Sequence, residues 1–475
     1  MQGYHPFSED AEIYLPGMEK ILNSKLFPVG QEFFQAHARM TLFPNVLAAF
    51  LRITHMPLEF GLFFWQIASI YLLLLACWQL SSVFFSHASA RWGGVCLVAA
   101  LLSLPVAGTA LYIMDQYANP RNLAAFAGVF ALARLLEKKY LWALLWIVFA
   151  GCMHPLMWVF PASFCALFMV LEFLERRRKR TLASEATISA AFFGLTLTPA
   201  PSQAYHQAAL KHGYHYIQHW AWYEVLGAIA PLVLFWCFAR IARGRKWGNV
   251  ERVSRAFVIY GSIYFAMALV FDLPPRFEAL ARLQPLRSLH FLYIVMFVMI
   301  GGLLGEFVLK QRVWRWLLLF VPLSAGMFYA QRQLFPASAH VEWPGMAPRN
   351  PWAQVFVWIR GNTPLDAVFA LDPNYMTIPG EDEIGFRCLA QRSRLADAVK
   401  DNGVVSMFPP LAEKWWAQVQ DQTPWNQFSE QDFLRLKEKY GASWVVLQLP
   451  AGAKAASQGV DCPYRNAAVQ VCRIP

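Results

Sequence analysis

About ten apolar runs break up the first 335 residues of this chain, and they decide its solvent. They fall at roughly 60–85, 92–114, 121–136, 140–153, 155–175, 184–200, 221–242, 254–272, 286–308 and 313–332. A helix needs roughly 20 residues to cross the hydrocarbon of a bilayer. Hydrophobic residues make up 57% of the chain and charged ones 15%, too little polar surface to coat a soluble protein of this length. The fold class is therefore an α-helical multi-pass membrane protein. Two runs, Asn122 to Leu136 and Leu141 to Met153, are too short to cross alone, which predicts short or re-entrant helices buried among neighbours.

The formal charge of +11 invites a nucleic-acid partner, but the basic residues sit in short clusters between apolar runs rather than along one soluble face. No nucleic acid is expected. Arg176 to Arg180 form one cluster; Arg240, Arg243, Arg245 and Lys246 a second; Lys310, Arg312 and Arg315 a third; Lys138 and Lys139 a fourth. All four land on one side if each run crosses once. Positive short loops stay in the cytoplasm. Residues 1–58, 115–121, the turn at His154, 201–219 and 273–285 then face outward, together with everything after Phe335. The expected address is the inner (plasma) membrane. Its parts are an outer acidic loop and interfacial helix over 1–58, a transmembrane helical domain over 59–335 and an extracytoplasmic α/β domain over 336–475.

In that last domain Trp352 to Arg360, Pro410 to Gln420 and Glu430 to Tyr440 read as helices, and Ala367 to Leu371, Trp444 to Leu449 and Ala468 to Arg473 as strands. It has no Gly-rich phosphate loop and no nucleophile elbow. Cys462 and Cys472 flank a hairpin in an oxidising compartment, where a disulfide is expected, with Cys388 left over. The other five cysteines lie in apolar runs and pack as small hydrophobes. Asp372 to Gly385, with Glu381, Asp382 and Glu383, reads as a lid over a membrane cavity or, more simply, as a solvated turn.

The unusual polar residues gather in the outward segments. Glu9, Asp10 and Glu12 lie close together, flanked by prolines and aromatics. Grouped carboxylates can share general-base work or hold a divalent ion, and a solvated acidic stretch looks the same. Thr41 to Met56 reads as an amphipathic interfacial helix, an anchor that a merely solvated tail does not need. Arg276, Arg282 and Arg287 surround Leu283-Gln284-Pro285 at the outer end of a membrane helix. A guanidinium there clamps a lipid phosphate bidentately or snorkels to headgroups. Arg287 is the first choice because it lies deepest, with Gln284 beside it. Arg121 stands near Asp115 and can neutralise it. Residues 205 to 223 are dense in histidine and aromatics. On a helix His212, His215 and His219 would share a face for a metal, against the readings of an interfacial aromatic belt and of a surface on which sugar rings stack. His154, before Pro155, reaches an outer cavity or is a satisfied helix-end residue.

This layout resembles the GT-C superfamily of membrane glycosyltransferases, which move a sugar from a polyprenyl-phosphate carrier to an acceptor at the outer face. The resemblance implies that Asp10, with Glu9, is the acid that acts as base or positions the acceptor. Asp115, in Met-Asp-Gln-Tyr-Ala-Asn-Pro-Arg-Asn, matches the second acid, and an outer-face arginine steadies the lipid phosphate. Substrate contacts are then expected at Asp115, Arg121, His154, Arg276, Gln284 and Arg287. The implied partners are a polyprenyl-phosphate-linked sugar donor, a lipid or glycan acceptor and membrane lipids. A divalent metal is an optional cofactor with no ligand set assigned. Superfamily members normally carry a helix before the first acid, so the expectation is a helix upstream of Met1 or an amino end translocated with the first hairpin. Residues Trp358 to Phe369, Phe386-Arg387 and Gln391-Arg392-Ser393 resemble those of an uncharacterised family of bacterial multi-pass proteins. The competing reading is a non-catalytic polysaccharide-assembly factor or a transporter. Transporters bury charges midway along helices and show repeated halves, and neither feature stands out here.

Overall fold

The computed structural model describes residues 1–180, 202–272, 280, 282–449 and 461–475. From the amino end, α1 (Ala11–Leu22), α2 (Glu32–Met40) and α3 (Phe43–Thr54) precede a helical bundle. The bundle contains α4 (Leu58–Phe84), α5 (Ala88–Ala100), α6 (Pro120–Leu136), α7 (Tyr140–Met153) and α8 (Val159–Arg180). After the short α9 (Gln203–Leu210) it continues with α10 (Trp222–Arg245), α11 (Gly248–Asp272), α12 (Ser288–Leu304) and α13 (Val313–Leu334). Among the described residues five helices are long and apolar enough to cross a membrane: Leu58–Phe84, Trp222–Arg245, Gly248–Phe271, Pro285–Leu309 and Val313–Leu334. The chain is an integral membrane protein. The apolar run at 184–200 lies outside the described residues.

Successive helices run between two ends of the bundle. At one end ion pairs join helix termini: Arg134 to Glu137 at 2.6 Å, Arg252 to Glu172 at 2.6 Å, Arg243 to Glu251 at 2.9 Å and His87 to Glu306 at 2.7 Å. The short helix α6 is buried along nearly its whole length, so its neighbours rather than lipid satisfy it. By contrast α7, shorter still, buries only Ala143, Ala150 and Met153.

The run at 92–114 is not one helix. Helix α5 stops at Ala100, and Pro105 and Gly108 break the remainder of the run into a buried hairpin in which Val106 N donates to Leu111 O at 2.8 Å. Hydropathy alone cannot separate such a loop from a helix, because Leu111, Ile113 and Met114 are as apolar as any membrane segment and as buried.

Helices α5 and α12 meet through glycine. A Cβ on Gly93 would come within 2.2 Å of Gly301 O, and one on Gly301 within 2.2 Å of Gly93 O. Lipid gives helices no hydrophobic reason to associate, so close backbone approach through small residues does the work. Gly301→Val is expected to lower stability in detergent by about 1–3 kcal/mol or more, seen as a fall in melting temperature. Gly326→Val on α13, where a Cβ meets nothing within 4 Å, is the control expected to leave it unchanged.

Beyond α13 come α14 (Pro351–Asn362), β1 (Val368–Ala370), α15 (Phe386–Ala390), β2 (Ser393–Arg394), α16 (Asp401–Met407), α17 (Ala412–Asp421), α18 (Glu430–Tyr440), β3 (Trp444–Gln448), β4 (Tyr464–Arg465) and β5 (Val469–Arg473). The sheet order is β2-β1-β3-β5-β4, with β1 parallel to β2 and β3, and β5 antiparallel to β3 and β4. Cys462 and Cys472 are joined in a disulfide, and Cys388 is free and buried.

The amino-terminal segment is packed into this unit. Glu12 is fully buried: Arg387 N donates to it at 2.8 Å, and Arg394 Nε at 3.0 Å. Arg387 also holds Asp401 bidentately at 2.8 Å on both arms, and Arg394 pairs with Asp397. Glu12 therefore parts company with Glu9 and Asp10, because α1 begins at Ala11 and turns this carboxylate toward the strands. Nor is 372–385 a solvated turn. Asp382 Oδ2 accepts Ala337 N at 3.0 Å and Ser338 N at 2.7 Å, Glu9 N donates to Glu383 O at 2.7 Å, and Gly385 N donates to Phe7 O at 2.7 Å. The loop ties the amino end to the α/β unit.

Candidate active site

A cavity of about 580 Å³ opens at the bundle end opposite those ion pairs. Its lining includes Glu9, Asp10 and Arg121, Tyr14 and the turn at His154, Gln284 and Arg287, and Lys400 and Asn402 from the α/β unit.

The first of these groups is built by backbone detail. Asp10 is the N-cap residue of α1, and its N–H donates to Tyr117 Oη at 3.2 Å. Glu9 before it has φ of 55°, a left-handed conformation that costs a side chain about 1–2 kcal/mol and is often retained at functional positions. Arg121 sits in the first turn of α6, where Asn119 caps its N–H at 2.9 Å after Pro120 fixes the entry angle. Its guanidinium reaches Asp10 Oδ2 at 2.7 Å and Asp115 Oδ2 at 3.1 Å. Asp115 does not line the cavity. It lies buried behind Arg121, since the hairpin at 101–119 folds it inward, and its carbonyl accepts from Gln2 at 3.0 Å and Gln66 at 2.8 Å.

Adjacent carboxyls are driven apart. Burial opposes ionisation of Asp10, yet Lys400 Nζ at 3.5 Å from Oδ1 and Arg121 outweigh it and hold the carboxyl below the usual range. Glu9 is pushed up to about 8, by burial first and by the charge of Glu383 next, with Lys400 opposing. At neutral pH Asp10 is an anion and Glu9 can take or give a proton. His154 accepts Met157 N on Nδ1 at 3.2 Å, which leaves Nε2 facing Tyr14 Oη at 3.4 Å. Burial, helped by Arg121 and Arg287, keeps that imidazole neutral.

The group around Arg287 is different in kind. Arg287 lies over the ring of Tyr214 at 5.7 Å, and its Nε is buried with no hydrogen-bond partner among the described residues. Gln284 is buried in the left-handed region at φ of 48°. Arg276 lies outside the described residues. The histidine-rich stretch is not one helix: α9 ends at Leu210, and single turns of 3₁₀ helix cover Gly213–His215 and Ile217–His219. His215 and His219 therefore share no helical face, and the rings of His212 and His215 stack at 5.1 Å. Among the described residues no group of three or more His, Cys, Asp or Glu side chains is arranged to hold a metal ion, and both oxygens of Asp10 already face cations. Among the described residues, the side chains lining the cavity do not fit a divalent ion.

Lys400 and Asn402 carry no signal in the sequence. Buried ion pairs of Arg387 and Arg394 with Asp397 and Asp401 hold their segment at the cavity.

The sequence matches no protein-family model and no curated protein. Over 93% of its length the chain is similar to the oligosaccharyltransferase of Archaeoglobus fulgidus in the apo form, with a TM-score of 0.44 and 11% identity. A second similar structure is the same organism's enzyme in complex with an inhibitory peptide and a dolichol-phosphate, with a TM-score of 0.20, 14% identity and 81% of this chain covered. This chain spans 66% and 51% of the length of those two proteins. At these scores neither assigns a fold or an activity, so the functional reading rests on the residues of the cavity.

Proposed function

We propose that this chain is a membrane glycosyltransferase of the GT-C kind. It takes a sugar from a polyprenyl-phosphate donor at the outer face of the inner membrane and passes it to a lipid or glycan acceptor. The observation that carries the reading is the pairing, in the lining of one cavity, of a proton-accepting carboxyl at Glu9 with the Arg287 guanidinium, whose Nε has no partner among the described residues. In the reaction the acceptor hydroxyl attacks the anomeric carbon, the bond from that carbon to the phosphate oxygen breaks, and polyprenyl phosphate leaves. Glu9 takes the hydroxyl proton, Asp10 orients the acceptor, and Arg287 stabilises the charge that grows on the departing phosphate. His154 and Gln284 line the space between them. Support for the outward orientation comes from the basic clusters lying at the other end of the bundle and from the Cys462–Cys472 disulfide, which suits an oxidising compartment.

A binding measurement with the purified full chain and undecaprenyl phosphate tests the phosphate assignment. Arg287→Ala is expected to weaken binding by about 10–100-fold, the worth of a charge-assisted hydrogen-bond pair. Arg282→Ala, whose side chain is outside the cavity lining, is expected to bind like the native chain. Equal affinity in both variants removes Arg287 from the site.

A further inference from the structure

Resting on the glycosyltransferase reading, we propose that the wall made by His212, Tyr214, Gln284 and Asn402 seats the sugar ring of the donor, and that this ring is a neutral, hydroxyl-rich pyranose. All four residues belong to the cavity lining, and His212, Gln284 and Asn402 are 5%, 7% and 2% exposed. Gln284 Oε1, Asn402 Oδ1 and His212 Nε2 each lack a hydrogen-bond partner among the described residues. The charged lining differs: Asp10 and Arg121 already pair with each other, Asp115 and Lys400. A buried polar atom left unpaired costs about 1–3 kcal/mol, so three on one wall point to a ligand that answers them.

The atom types name that ligand. Two of the three are amide oxygens, which only accept hydrogen bonds, and the third belongs to an imidazole that burial holds neutral. Sugar hydroxyls are donors and suit all three. A carboxylate in place of those hydroxyls would bring no proton to the three acceptors. Tyr214 adds an aromatic edge to the wall, 5.2 Å from the His212 ring, and the same Tyr214 ring lies beneath Arg287. A phosphate held by Arg287 therefore delivers its sugar, one ester oxygen away, onto this wall. Asn402 comes from α16, so the α/β unit contributes directly to sugar choice rather than only covering the membrane part.

The experiment compares binding of undecaprenyl phosphate with its glucose, galactose, mannose, N-acetylglucosamine and glucuronate esters, using the full chain. The native protein is expected to bind at least one neutral ester about tenfold or more tightly than bare undecaprenyl phosphate, and to gain nothing from glucuronate. Gln284→Ala and Asn402→Ala are each expected to lose about tenfold of that gain while binding bare undecaprenyl phosphate as before. A variant that loses the bare phosphate as well is misfolded, and Gln284→Asn and Asn402→Ser then carry the comparison. Full sugar preference in the variants, no preference in the native chain, or preference for glucuronate overturns the inference and leaves the phosphate assignment standing. Failure of the native chain to bind undecaprenyl phosphate at all overturns the functional reading and this inference with it.

Discussion

Glu9→Gln is expected to lower the rate of sugar transfer by about 10²–10⁴-fold while leaving undecaprenyl phosphate affinity unchanged, because a proton acceptor acts in the transition state and not in binding the donor. The pH profile carries the sharper signature. Glu9 must be deprotonated to act, and its carboxyl is held up to about 8, so the native rate should rise with pH toward a plateau above that value. Burial is the larger cause and Glu383 the next. Glu383→Gln removes the repulsion and frees Lys400 to pull Glu9 down, so the rising limb should move to lower pH. The same group acts on stability with a definite sign. The folded chain holds its proton up to about 8 while the unfolded chain releases it near the ordinary value of 4.5. Stability contributed by protonated Glu9 is present below that lower value and is lost as pH rises through the window. Glu9→Gln should flatten this decline in thermal melts taken across the window. A Glu9→Gln profile identical to the native one would show that another group accepts the proton.

Arg394→Ala should be the most destabilising single change in the α/β unit, by about 3–5 kcal/mol, because it strips buried Asp397 of its paired cation and leaves Arg387 alone among three buried acids. Arg394 serves Glu12 at 3.0 Å and Asp397, and Arg387 serves Glu12 and Asp401; two cations and three acids share one dry space. That arrangement joins the amino-terminal segment to the strands and, through Asp397 and Asp401, positions Lys400 and Asn402 at the cavity. Loss of Arg394 should therefore loosen the amino end and expose the unit to limited proteolysis. Arg394→Lys, which keeps charge but not the forked geometry, should fall between. Native-like proteolysis of Arg394→Ala would mean that the apolar contacts of α1 are sufficient without the ion pairs.

How far the sequence is legible depends on the kind of signal. Periodicity and turn residues mark Glu430–Tyr440 at both ends, because Ser429 closes a capping box with Asp432 and Gly441 takes the left-handed C-cap. Apolar length gives α4 and α13 but misjudges 92–114, where Pro105 and Gly108 fold a hydrophobic stretch back on itself. Glu9, Asp10, Arg121, His154, Gln284 and Arg287 all stand out in the sequence and all line one cavity, since polar residues at the outward ends of apolar helices have few reasons to be there. Nearness in sequence groups Glu12 with Glu9, although the start of α1 turns it the other way. Lys400 lies hundreds of residues from Asp10 in the chain, and nothing local marks it. Its place depends on ion pairs that form only when both ends of the protein have folded together.

Release of undecaprenyl phosphate from an undecaprenyl-phosphate sugar, followed with purified protein and membrane lipid acceptors, tests most directly whether Glu9 and Arg287 work on one substrate. Release by the native chain, with none above background from either Glu9→Gln or Arg287→Ala, is the expected result. Release at the native rate from the Glu9→Gln, Arg287→Ala double variant would contradict it.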